Sequence, residues 1–191
     1  MAESGSEEHR GRQSDLVEDV ARLFRANGYH GTTMSVVSER TGLGRSSIYH
    51  HFGRGKLEMA QRSLDVVDAF LLKIEATINE ADNPAVARWD RIGEMLRQYY
   101  EDGQLGCLLA VFALEDVPSE LRVRTKALFD RWIAGMAALS AQGGSDKADA
   151  ERFGLCAVMV IQGGLVLARA RSSRAPFEQA LSEVSLMLQG E

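Results

Sequence analysis

The segment that most constrains this chain runs from Thr32 to Lys56, TTMSVVSERTGLGRSSIYHHFGRGK. Thr33 is a good N-cap for a short helix that ends near Thr41. Gly42 and Gly44 then make a tight turn, with Leu43 between them as an inward anchor. A second short helix, Arg45 to His51, follows, and Gly53-Arg54-Gly55 stops it. Ile48 and Phe52 lie four apart and point inward, which leaves Arg45, Ser46, Tyr49 and His50 on the outer side. Two short helices across a tight turn are a helix-turn-helix, a device whose second helix fits the DNA major groove.

The charge distribution agrees with that plan, although the net charge is −5. His9 to Leu57 holds 8 Lys/Arg against 4 Asp/Glu and all 4 histidines, whereas residues from Glu58 onward hold 14 basic against 20 acidic. Phosphate attraction acts within a Debye length of about 10 Å, so a basic head on an acidic body can still approach a duplex.

The remainder reads as all-α, with about nine helices in total. A first helix from Ser14 to Asn27 has Ser14 as its cap, Leu16, Val20, Leu23 and Phe24 on one face, and Gly28 as its stop. A long helix from Lys56 carries Ala60, Leu64, Val67, Leu71, Ile74 and Ile78 at spacings of 4-3-4-3-4, a seam about three turns longer than the head needs. It is expected to link head and body mechanically. Further helices are expected over Ala85 to Tyr100, Cys107 to Leu114, Pro118 to about Ala141, Lys147 to Arg171, and from Phe177 onward. The division expected is a helix-turn-helix domain over 9–57 and a helical ligand-binding and dimerisation domain over 58–191.

Other chemistries find little support. No activated nucleophile, metal-ligand cluster or Gly-rich phosphate loop is present, so no enzyme, metal or cofactor is expected. Cys107 and Cys156 lack CxxC spacing and read as small apolar groups, with a thiol sensor as the alternative. The first residues, MAESGSEEHRGRQ, have no signal-peptide h-region, and the apolar run from Leu155 to Ala168 is too short to span a bilayer. A cytoplasmic location without membrane contact is the expectation.

The order Gly28-Tyr29, Thr33, Gly42-Leu43, Ile48-Tyr49, His51-Phe52 resembles the N-terminal signature of the TetR family of bacterial transcriptional regulators. The segment Phe52 to Lys56, one residue longer than the commonest family form, with Leu105-Gly106-Cys107 and Ala113-Leu114-Glu115, resembles the YxaF/LmrA-like subgroup. This implies a repressor that binds a pseudo-palindromic double-stranded operator as a homodimer and is released by a small hydrophobic organic effector. Gly44, Arg45, Ser46 and Ser47 form the front of the reading helix, where Arg45 can grip guanine or phosphate. Thr33 opens a helix N-terminus suited to a phosphate. Tyr49 and His51 match family positions that touch phosphate or thymine methyl groups, His50 lies beside them, and Lys56 matches a subgroup lysine that clamps the backbone. The bland alternatives are a half-buried Tyr49 ring and a solvated histidine pair. Val36, Ser38 and Arg45 depart from the usual family residues, and Val36 leaves Thr33 without an acidic capping-box partner.

In the body, Met95, Tyr99, Cys107, Phe112, Trp132, Met136, Cys156, Met159 and Gln162 fall on faces that could converge on an effector cavity, though the same spacing serves plain core. Gly163-Gly164 suggests a close backbone approach, to a partner helix or to a cavity. The resemblance makes the last two helices the dimer surface, with Val160, Gly164, Leu167, Phe177, Leu181, Val184 and Leu188 at the interface. A helical ligand-binding or scaffold protein without DNA binding is the competing reading, opposed by Arg45, Tyr49, His51 and Lys56.

Overall fold

The computed structural model describes residues 2–190, with side chains from residue 15 onward. Among the described residues there are nine helices and no strand: α1 (Ala2–Gly31), α2 (Met34–Thr41), α3 (Arg45–His51), α4 (Lys56–Ile78), α5 (Ala85–Tyr100), α6 (Leu108–Leu114), α7 (Ser119–Gln142), α8 (Lys147–Ala170) and α9 (Ala175–Gln189). The chain is all-α, as its patterning predicts.

α1 begins at Ala2 rather than at Ser14. The expected capping role of Ser14 lies outside the described side chains. The other end matches: at Gly28 the backbone leaves the helix with φ 76 and ψ 175, a conformation open to glycine at little cost. Leu16, Val20 and Phe24 are buried on the predicted face. Thr33 accepts the Val36 N–H at 3.3 Å and caps α2 without an acidic partner. Gly42 closes α2 in the left-handed region, and Ile48 and Phe52, both 0% exposed, anchor α3.

All six seam residues of α4 are buried, and α4 packs against α1 on the head side and α7 in the body. Along its outer edge Arg124 pairs with Asp65, and Arg131 with Asp68 and Glu75. Such half-exposed pairs contribute little stability each. One buried cluster runs from Leu16 and Phe52 through Phe112 to Val184, so head and body share a continuous core.

α8 is packed between α7 and α9. An 18-residue stretch of it is apolar enough, by length and composition alone, to cross a membrane. That stretch is longer than the apolar run read from Leu155 to Ala168, so the reading of the helix as too short is corrected. A Cβ on Gly164 would collide with Ala180 and crowd the Pro176 carbonyl, so this glycine exists for the α8–α9 crossing. Gly163 has open space around it and belongs to the outer side.

Candidate nucleic-acid interface and its junction with the body

Two buried side chains dictate what α3 offers. With Ile48 and Phe52 held in the core, Arg45, Ser46, Ser47, Tyr49 and His50 all stand exposed, and Tyr49 is 51% exposed. His51 is half-buried, with its ring 5.8 Å from that of His50. No ion pair engages Arg45 among the described residues. The outer side of α3 is therefore a compact set of donors and one phenol ring, with Gly44 at its N-cap leaving room for close approach.

Lys56 stands differently from the rest. Its Nζ donates to the His30 carbonyl at 3.3 Å and lies 4.6 Å from the centre of the Tyr29 ring. Partial burial lowers its pKa, with Glu115 opposing. It is turned onto the end of α1, which leaves only part of its donor capacity for a phosphate.

That end of α1 is gripped by the body. The Glu115 carboxylate, just after α6, accepts the Tyr29 N–H at 3.1 Å and the His30 N–H at 3.0 Å. Arg169 of α8 donates to the Arg25 and Ala26 carbonyls at 2.9 and 3.2 Å, satisfying carbonyls that the break at Gly28 leaves open. A Cβ on Gly28 would overlap the Glu115 carboxylate. The Phe112 ring meets Phe24 edge-on at 5.5 Å. Arg54 adds a second tie, reaching Glu120 at the start of α7.

The nine body residues read as a possible cavity lining are not gathered into one. Phe112 belongs to the head–body packing just described. Trp132 and Met136 are deep in the core, Met95 packs against it, and Met159 is 54% exposed on α8. Cys107 lies under the Tyr100 hydroxyl at 3.6 Å, and Cys156 is half-buried. Gln162 has both amide atoms buried without partners among the described residues. Tyr99 alone of the nine lines a cleft of about 600 Å3 between α1, α4 and α5. Helical periodicity marks residues as inward but does not say which neighbour they meet.

The same limit corrects the dimer set. Phe177, Leu181 and Val184 are buried within the protomer, and Gly164 is spent on the α8–α9 crossing. Val160 and Leu188 are half-buried, which leaves Leu167 as the exposed member. The apolar groups left open on α8 and α9 are Leu155, Met159, Val166, Leu167 and Leu186. Sequence reasoning also passed over Arg25, Arg169 and the capping role of Glu115. For Arg25 a signal existed: it lies four residues after Ala21, beside the apolar stripe of α1.

Comparison with known proteins agrees with this architecture. Residues 16–62 match the family of bacterial regulatory proteins, tetR family, and residues 85–183 match the transcriptional regulator LmrA/YxaF-like, C-terminal domain. An HTH-type transcriptional regulator of Mycobacterium tuberculosis is 26% identical over 190 residues, covering 95% of this chain and 96% of that protein. The HTH-type transcriptional regulator YxaF of Bacillus subtilis is 23% identical over 179 residues, 91% and 93% of the two chains. The crystal structure of a TetR transcriptional regulator from Chloroflexus aurantiacus superposes with a TM-score of 0.76 at 25% identity, covering 96% of each chain. With a helix-turn-helix head, a matching body and relatives aligned nearly end to end, this chain belongs to the TetR family of transcriptional regulators, in its LmrA/YxaF-like group.

Proposed function

We propose that the chain is a cytoplasmic repressor that grips a pseudo-palindromic operator as a homodimer and releases it when a small organic effector binds. The observation that carries this reading is the polarity of α3: Ile48 and Phe52 are fully buried while Arg45, Ser46, Tyr49 and His50 face solvent. A helix so anchored presents its donors to a groove at no cost in reorganisation. Thr33, at the start of α2, and Lys56, at the start of α4, would add phosphate contacts, Lys56 with the donor capacity that the His30 carbonyl leaves free.

Homodimer formation is favoured by the exposed stripe of Leu155, Met159, Gly163 and Val166 on α8, and Leu186 is exposed on α9. Covering it with a second copy would set two α3 helices about 34–36 Å apart, one helical turn of DNA. Effector control follows from how the head is held. α1 is tied to α6 by Glu115 and to α8 by Arg169, and α4 runs from the head into the body. A shift in the body therefore moves both helices that support the reader. A coupling of roughly 1–3 kcal/mol is the usual size of such an effect.

The test is a gel-shift assay with the DNA upstream of the chain's own gene. A saturable complex that survives moderate salt and competitor DNA supports the reading, and the absence of any specific complex contradicts it.

A further inference from the structure

Arg25 is 4% exposed and lines the cleft between α1, α4 and α5. Its guanidinium carbon sits 4.3 Å from the centre of the Tyr99 ring and 5.9 Å from that of Tyr100. Nη1 reaches the Tyr99 carbonyl oxygen at 3.4 Å, and Nε has no acceptor among the described residues. Among the described residues no carboxylate pairs with it, unlike the neighbouring cations: Arg22 is paired with Glu101 and Arg62 with Glu58. A buried guanidinium without a counter-ion is costly, and the partner that fits its planar fork is a carboxylate.

The Tyr99 hydroxyl is buried without a hydrogen-bond partner among the described residues as well. Desolvation pushes this phenol up to about 12, so it remains a neutral donor at ordinary pH. The Phe70 and Tyr99 rings stack 3.8 Å apart, and Val17, Val66 and Leu105 add apolar wall. At about 600 Å3, the space has the size of a small-molecule site.

We propose that this cleft binds a small organic carboxylate, whose charged end pairs with Arg25 and whose apolar body lies along Val66, Phe70 and Leu105. The site joins α1 of the head to α4 and α5, so an occupant would tie the reader to the body at this point. Only that consequence for DNA rests on the proposed effector response; the binding itself does not.

The test is calorimetric titration of the full chain with 2-naphthoate and with its uncharged counterpart 2-naphthamide. The carboxylate is expected to bind saturably, once per protomer, and the amide roughly tenfold more weakly or worse. Two variants locate the site. Arg25→Met is expected to abolish the preference for the carboxylate. Ala69→Trp, at an exposed position of α4 lining the cleft, is expected to block both ligands without touching the core. Circular dichroism confirms that each variant folds. If Arg25→Met does not, Ala69→Trp still decides the location. No saturable binding of 2-naphthoate, equal affinity for the two compounds, or binding unchanged by Ala69→Trp would overturn the proposal. Operator affinity is measured in the same samples: carboxylate bound without any change there leaves the site standing and removes the effector response at it.

Discussion

Glu115 accepts the Tyr29 N–H at 3.1 Å, across 86 positions of sequence, and thereby fastens the end of the head's first helix to the body. The adjacent His30 N–H goes to the other carboxylate oxygen at 3.0 Å, so a single side chain caps two successive backbone donors. Charge-assisted bonds of this kind are about twice as strong as neutral ones. Glu115→Ala is therefore expected to lower stability by roughly 1–3 kcal/mol, read from urea unfolding. A variant with wild-type stability would show that the cap is incidental.

Gly28→Ala tests the same junction from the other side. A Cβ there would overlap the Glu115 carboxylate, and φ is 76, outside the range alanine favours. Backbone strain alone costs about 1–3 kcal/mol in this nearly glycine-only region, and the clash should add to it. Combined with Glu115→Ala the loss should be less than additive, because Glu115→Ala removes the carboxylate that a Cβ at position 28 would strike. Strict additivity in a double-mutant cycle would contradict that.

On α8 and α9 two classes of substitution are expected to part company. Phe177→Ala removes a ring that is fully buried inside the protomer and should cost about 3–5 kcal/mol of stability. Met159→Glu and Val166→Arg alter residues that are 54% and 62% exposed and should leave the protomer folded. They should lower its mass from dimer to monomer in analytical ultracentrifugation. Wild-type sedimentation for both charged variants would place the dimer surface elsewhere.

Glu58 gives a pH dependence with a defined sign. Its carboxylate accepts the Arg54 N–H at 3.0 Å, the main reason its pKa lies below the ordinary glutamate value, and Arg62 adds to the effect against partial desolvation. An acid depressed in the folded state stabilises it above the unfolded pKa and loses that contribution as pH falls through the folded one. The urea midpoints of wild type and Glu58→Gln should thus differ at neutral pH and converge as pH drops below about 4.3. A gap that stays constant into that range would contradict the assignment.

What the sequence made legible was what local chemistry decides. The Thr33 cap, the Gly42 turn, the Ile48 and Phe52 anchors and the 4-3-4-3-4 seam of α4 each depend on residues within a few turns of one another, and all stand where patterning put them. What it could not show was which of two apolar neighbours a side chain meets. Phe177, Leu181 and Val184 looked surplus to a terminal helix pair, yet α8 and α9 use them against each other and α5. Leu155, Val166 and Leu186, exposed instead, carry no pattern that marks them as outward. Arg25, Glu115 and Arg169 owe their roles to helices that meet only in three dimensions.

The central claim is that the outer face of α3 reads DNA, and it is tested most directly by fluorescence anisotropy of labelled upstream DNA against salt, with wild type and Arg45→Ala compared. Arg45 is exposed, so its removal should leave fold and dimer mass unchanged. The account predicts a steep fall of wild-type affinity with salt, and for Arg45→Ala a loss of about 1–3 kcal/mol in specific binding at every salt concentration. If Arg45→Ala binds the same DNA as tightly as wild type, with the same salt dependence, α3 is not the reading surface.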